Sequence, residues 1–299
     1  MNAPLVSVIL CNYNYSKYID EAIKSVINQS YTNFELIIVD DGSTDNSKEI
    51  ILSYSDPRII SLFQENKGQA AAFNSGFKYA KGDFIAFLDS DDKWYKNKLL
   101  EVINIFKKNS FSIVQHYLHL MDSNSKTNGE IHAEIPIYGE KNILQEYFIS
   151  NHTGFFSTTS GIVCKKEHLD IIFPIDEKWK ICADVLITRP LPLLGNVYTL
   201  KEILGCYRIH GDNCWMNTAA QKELKNHFKY TDYVNNWLEK YGYTSRINFI
   251  KSSTYFNEKY KHYTKFLLVR IGIVLMFYII KKTRYLLYKS GKYDGKKNE

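Results

Sequence analysis

Cysteine is scarce in this 299-residue sequence: Cys11, Cys164, Cys182, Cys206 and Cys214 are an odd, widely scattered set. Such a set forms no disulfide framework and points to reduced thiols in a cytoplasmic setting. A secretory leader is not expected, because Met1–Leu5 runs straight into an apolar segment of strand type. Solenoid repeats and low-complexity tracts are missing. The apolar run Phe266–Ile280 has fifteen residues and contains Arg270, short of the about 20 that span a bilayer. With 45% hydrophobic and 23% charged residues, the composition excludes wholesale disorder and a fibrous repeat. A chain of this length buries a substantial core without staples.

Positive charge is also missing where it would matter for nucleic acid. Residues 251–299 carry twelve Lys and Arg against three acids, a net of +9, which leaves the first 250 residues at −3. A nucleic-acid-binding body needs the reverse distribution, so no nucleic acid is expected as a partner.

What is present alternates. Val6–Leu10 is an apolar run of the kind buried on both faces of a sheet. Ile19, Ala22, Ile23, Val26 and Ile27 then recur at helical spacing. Strands are predicted at 34–39, 58–63 and 84–88, and helices at 47–54, 68–80 and 96–107. This order implies a parallel sheet with right-handed crossovers. Beyond Ser110 the pattern predicts strands at 112–120, 159–164 and 197–208, a polar excursion at 122–139, and a helix around 181–194. From Ala219 onward it is helical and rich in Lys and Tyr.

Two acidic clusters stand at the carboxyl ends of predicted strands, Asp40-Asp41-Gly42-Ser43 and Asp89-Ser90-Asp91-Asp92. Ligands of open parallel sheets bind in the crevice beyond those ends. Carboxylates gathered there repel one another unless a cation or ligand donors compensate, and an Asp-x-Asp pair suits Mg²⁺ or Mn²⁺ shared with substrate phosphates. Each cluster also has a plainer reading, a helix-capping loop for Asp40–Asp45 and a solvated turn for Asp89–Asp92. That they occupy equivalent places on two strands weakens both plainer readings.

Ser7-Val8-Ile9-Leu10-Cys11-Asn12-Tyr13-Asn14, Ile37-Ile38-Val39-Asp40-Asp41-Gly42-Ser43-Thr44-Asp45 and Phe87-Leu88-Asp89-Ser90-Asp91-Asp92, taken in order, resemble the markers of the family 2 inverting glycosyltransferases. The resemblance covers roughly residues 4–215. It implies the α/β GT-A fold, a Rossmann-like, mostly parallel sheet flanked by helices. A nucleotide-sugar-binding part would span 1–110, an acceptor-side part 111–215, and a basic helical extension 216–299.

By that resemblance the donor is a nucleotide-diphosphate sugar, a UDP-sugar in particular. The acceptor would be a glycan or lipid-linked glycan of cell-surface polysaccharide or glycolipid biosynthesis. Tyr13 would flank the base and Asp41 would accept its imide N–H, with Cys11 beneath the donor and Asp40 supporting the same pocket. Lys67, Gln69 and Asn74 fall in the segment that approaches the nucleotide, where many relatives carry Arg in place of Phe73. Asp89 and Ser90 would adjoin the ribose or the metal, and Asp91 would ligate the metal. In Cys182-Ala183-Asp184 the last residue would be the base, although it could equally be an N-cap. Tyr207–Asn213 resembles the late motif over the diphosphate; Arg208 there is either structural or a donor contact, and His210 a phosphate or metal contact.

Three other readings stay open. Cys206, His210 and Cys214 form a C-x₃-H-x₃-C run that could hint at zinc, but no fourth ligand is evident. A nucleotidyltransferase would need a Gly-rich basic loop, and Cys11–Lys17 has no Gly and one Lys. A non-catalytic nucleotide-sugar sensor would keep the fold and lose turnover. In the tail, residues 264–290 suit a helix lying on an anionic membrane surface, giving peripheral placement on the inner face of the plasma membrane. Packing on the body, or a homo-oligomer contact, is the alternative there.

Overall fold

The structure is a computed structural model that describes residues 3–132, 139–150, 156–211, 213 and 220–247. The chain divides into two compact units, Met1–Phe249 and Ile250–Glu299. The second unit lies outside the described residues, as do Asp212, Cys214 and the whole 264–290 segment.

Four strands, β1 (Val6–Asn12), β2 (Phe34–Asp40), β3 (Ile59–Phe63) and β4 (Phe84–Asp89), pair in parallel in the order β3-β2-β1-β4. Between them run α1 (Ile19–Ile27), α2 (Ser47–Leu52) and α3 (Gln69–Tyr79). The period-2 pleat sends Val6, Val8 and Leu10 into the core layer shared with α1, and Ile9 into the opposite layer with α3. Both faces of β1 are covered, which is why its sequence reads as a continuous apolar run rather than an alternating one. Gly76 lets α3 sit against β1: a Cβ there would lie 2.7 Å from Ile9 Cγ2.

The second half departs from the simple parallel expectation. After β5 (Lys93–Trp94) and α4 (Lys98–Phe106) come β6 (Ile113–Met121), β7 (Thr127–His132), β8 (Gly139–Lys141) and α5 (Ile143–Ser150). Then follow β9 (Ile162–Lys165), α6 (Lys166–Ile172), α7 (Asp184–Thr188), β10 (Val197–Arg208) and α8 (Ala220–Lys240). The full order is β3-β2-β1-β4-β9-β6-β10-β5. Strand β9 is antiparallel to both β4 and β6, while β10 runs parallel to β6. The sheet is therefore mixed, parallel on its donor side and interrupted by a reversed strand in the middle.

Three expectations change. The 122–139 stretch is not all excursion, because β7 pairs antiparallel with β6. The single helix expected at 181–194 is the short α7 followed by a 3₁₀ turn at Leu191–Leu193, broken where Pro190 ends regular hydrogen bonding. The body does not stop at 215: Val234 and Leu238 of α8 are buried in its core, and Tyr233 Oη donates to Leu186 O at 2.9 Å. No helix among the described residues is long and apolar enough to cross a membrane.

Candidate active site

The strand order turns between β1 and β4, and beyond the carboxyl ends of β1, β2 and β4 opens a cleft of about 1110 Å³. This is the crevice where sheets of this type hold ligands. Cys11, Tyr13, Asp41, Gln69, Asp89, Ser90, Asp91 and Asp184 all line it. These eight sequence candidates therefore meet in one place, although Asp184 stands far along the chain from the rest.

The two acids after β2 do different work. Asp40 is buried and faces the loop: Oδ2 accepts from Asn12 Nδ2 at 2.8 Å and Ser43 Oγ at 2.6 Å, and Oδ1 from Ser43 N at 2.9 Å. Asp40 does not line the cleft and holds the donor-side loop in shape. Asp41 does line it and gathers Gln64 Nε2 at 2.7 Å, Lys67 N at 2.9 Å and Gly68 N at 2.7 Å. A carboxylate has about four acceptor positions, so one remains for a ligand donor. Tyr13 is 46% exposed at the rim, a ring with a face to offer. Cys11 stays a thiol, because burial and the nearby Asp89 and Asp41 push its ionisation up.

Lys67 and Asn74 are corrections. Neither lines the cleft. Among the described residues Lys67 bonds through its backbone, its N–H donating to Asp41 and its carbonyl accepting from Lys180 Nζ at 2.6 Å. Asn74 clamps the 175–177 loop: Nδ2 donates to Ile175 O at 2.9 Å and to Glu177 at 3.1 Å, while Oδ1 accepts from Ile175 N at 2.9 Å. Phe73, one residue earlier, is a core residue edge-on to Phe87 at 5.2 Å.

After β4 the carboxylates crowd. Burial, then Asp91 and Asp184, push the Asp89 carboxyl well above the usual range. Asp92 is raised by burial, Asp91 and Asp89, and it braces the loop, accepting from Ser160 Oγ at 2.6 Å and Arg208 N at 2.8 Å. Asp91 meets His210, with Nε2 3.0 Å from Oδ2. No three His, Cys, Asp or Glu side chains among the described residues are gathered as a ready metal cage. The donor set nevertheless fits Mg²⁺ or Mn²⁺, hard cations held by one or two carboxylates together with substrate phosphate oxygens. Excess negative charge at Asp89 and Asp91 is what such a cation would neutralise.

Arg208 is the other correction. Its guanidinium is buried and spent on the protein: Nε donates to Asp91 O at 2.6 Å, Nη1 to Ser125 Oγ at 2.8 Å, and Nη2 pairs with Glu21. It builds the floor under the acidic loop rather than meeting a donor. Of the zinc alternative, Cys214 lies outside the described residues; Cys206 Sγ donates to Tyr95 Oη at 3.2 Å and His210 turns to Asp91.

Asp184 opens α7 and lines the same cleft. Burial raises its carboxyl, and the neighbouring Arg189 lowers it in part. Sequence reading expected a strand at 159–164, where Thr158-Thr159-Ser160-Gly161 resembles the family's acceptor-side strand before the base. Thr159 hydrogen-bonds the Asp89 side chain, and Ser160 ties both Asp89 N and Asp92, so the 158–161 segment braces the acidic loop instead of running as a strand. His132 and Tyr207 stack at 4.0 Å and line the same cleft. Tyr207 opens the late motif, whereas His132 had no motif to announce it.

The mixed sheet flanked by helices, with Asp41, Asp89, Asp91 and Asp184 around one cleft, is the GT-A fold of the glycosyltransferases. Residues 7–167 match the family described as Glycosyl transferase family 2, and the chain belongs to that family. It is 36% identical to an uncharacterized glycosyltransferase of Nostoc sp., over 96% of this chain and 95% of that one. Over 42% of this chain and half of the relative, it is 44% identical to the Escherichia coli UDP-Glc:alpha-D-GlcNAc-diphosphoundecaprenol beta-1,3-glucosyltransferase. Among solved structures the fold is shared with Staphylococcus aureus TarS 1-349 in complex with UDP-GlcNAc (TM-score 0.63, 17% identity, 85% of this chain and 70% of that one). It is shared too with a Pyrobaculum calidifontis mannosyltransferase in complex with GDP-Man and Mn²⁺ (TM-score 0.56, 15% identity, 88% and 71% covered).

Proposed function

We propose that this glycosyltransferase moves a sugar from a UDP-sugar to an acceptor hydroxyl with inversion at the anomeric carbon. The observation that carries the reading is the meeting of Asp184 with Asp89 and Asp91 in a single cleft, where Asp184 is near enough to raise the Asp89 carboxyl. Asp91, with Asp89 and His210 beside it, would hold Mg²⁺ or Mn²⁺, which neutralises charge on a departing diphosphate. Asp41 keeps one acceptor position for the imide N–H of uracil, and Tyr13 offers its ring to the base. Asp184 takes the proton of the acceptor hydroxyl as that oxygen attacks, help typically worth ~10²–10⁴ in rate.

The E. coli relative uses UDP-Glc and a lipid-linked acceptor by its name, which supports a glycan or lipid-linked glycan acceptor in cell-surface polysaccharide or glycolipid synthesis. The basic tail, net +9 over residues 251–299, supports placement at an anionic membrane surface. A panel of UDP-, GDP- and dTDP-sugars, scored for metal-dependent hydrolysis and transfer, tests the reading. Turnover restricted to UDP-sugars is expected. Binding without turnover of any donor would instead identify a sensor.

A further inference from the structure

We propose that Gln69 is a positioning residue that ties the nucleotide end of the cleft to the loop carrying Asp184. The inference rests on the reading of Asp184 as the base. Gln69 lines the cleft, but its side-chain Oε1 is engaged across the fold, accepting from Ala183 N at 2.8 Å. Ala183 immediately precedes α7, a five-residue helix with no side-chain cap of its own. The first N–H groups of a helix have no partner within it, so Gln69 supplies from another element the cap that α7 lacks. The segment needs holding, because Cys182 sits in the left-handed region at φ 53°, a cost that surrounding contacts must offset.

The tie continues in the other direction. Gln69 N donates to Lys180 O at 2.9 Å, and Lys180 Nζ donates back to Lys67 O at 2.6 Å. Lys67 N and Gly68 N both donate to the carboxylate of Asp41. Gly68 stands at φ 88°, and a Cβ there would meet Lys180 Cδ at 2.7 Å. The two loops are thus in direct contact with no room between them. One unbroken run, Asp41 to 67–68 to Gln69 to Ala183, joins the carboxylate that faces the base to the carboxylate that takes the proton. Binding of a nucleotide at Asp41 and alignment of Asp184 then share a rigid path, and the Gln69 side chain makes the bond that reaches Ala183, next to Asp184.

Gln69→Met keeps the length and helix preference of the side chain and removes the acceptor. Gln69→Glu keeps an acceptor oxygen for Ala183 N–H. Displacing a reacting group by about 1 Å costs up to about 10²-fold in rate, so Gln69→Met is expected to lower kcat on that scale with donor KM unchanged. Gln69→Glu is expected to recover most of the turnover. In ligand-free protein, hydrogen exchange over residues 180–185 should quicken in Gln69→Met and stay at the parent rate in Gln69→Glu. A raised donor KM with kcat unchanged would make Gln69 a donor contact and overturn the proposal. Equal exchange in all three proteins would overturn it too, as would a Gln69→Glu variant no better than Gln69→Met. If the parent turns over no nucleotide sugar, the transferase reading falls, and the exchange comparison still decides whether the tie exists.

Discussion

His210 Nε2 lies 3.0 Å from Asp91 Oδ2, and the imidazole packs against the rings of Tyr15 and Tyr18 at 5.4 and 4.9 Å. Arg208 Nε meanwhile holds the Asp91 carbonyl at 2.6 Å. Both ends of Asp91 are therefore fixed by β10 and the turn after it, while the residue itself belongs to the loop after β4. A metal ligand fixed through its neighbours in this way would keep its geometry before a metal arrives.

Asp91→Asn preserves the shape and the contact with His210 and deletes the charge. UDP binding by the parent should tighten on adding Mn²⁺ or Mg²⁺, and the variant should lose that response. Calorimetry of UDP with and without metal reads the difference. A variant as metal-responsive as the parent would remove Asp91 from the ligand set.

Asp184→Asn should retain donor affinity and lose ~10²–10⁴ in kcat, the usual worth of a positioned base. The pH profile carries its own signature. Burial raises the Asp184 carboxyl above its ordinary ~3.9, and only the deprotonated form accepts a proton. Turnover should therefore fall as pH drops through that raised value. Arg189 pulls the value down, so Arg189→Gln should move the acid limb to higher pH. An acid limb unmoved by Arg189→Gln would place the base elsewhere.

The donor half of this molecule was legible because its signals are local. Apolar runs bounded by cap formers fix β1, β2 and β4, and an acid placed directly after such a run lands in the crevice. The second half was less legible because its determinants are long-range. Nothing near Thr127 says that it will pair with Met121, nor near Ile162 that β9 will run against both neighbours. Among site residues, Asn74 was placed by motif within the donor site, yet its amide holds the distant 175–177 loop, and of the two readings of Arg208 the structural one holds, through Asp91 O, Ser125 and Glu21. Gln69 was right in location, but its bond to Ala183 spans 114 positions and leaves no trace in local pattern.

Gly76 should resist enlargement. A Cβ there would press on Ile9 Cγ2 at 2.7 Å and Val39 Cγ2 at 3.3 Å, both β-branched groups of central strands with little freedom to yield. Alanine gains about 1 kcal/mol of helix preference over glycine, whereas overpacking a tight core costs about 1–3 kcal/mol. Gly76→Ala is expected to be neutral to mildly destabilising and Gly76→Val clearly destabilising. Urea midpoints for the two variants check the order. A Gly76→Val protein as stable as the parent would mean that α3 shifts freely on β1.

Glu21 and Arg208 link α1 to β10 beneath the acidic loop, and the pair should be visible in acid. Burial raises the Glu21 carboxyl, but hydrogen bonds from Lys93, Ser125 and Arg208 outweigh it and hold the value at about 2. The unfolded value is about 4.3. A depressed carboxylate contributes stability that is complete above the unfolded value and disappears as pH falls through the folded one. Between about pH 4.3 and 2 the parent should therefore lose stability with a slope that Glu21→Gln lacks. Arg208→Met should flatten that slope only in part, because Lys93 and Ser125 still donate to Glu21. It should also lower stability at neutral pH, since the Asp91 carbonyl loses its donor and Glu21 loses a partner. Urea unfolding at several pH values from 2 to 7 measures both effects. Parallel curves for the parent and Glu21→Gln would show that Glu21 titrates alike in the folded and unfolded chains, and that the pair is no support for the site.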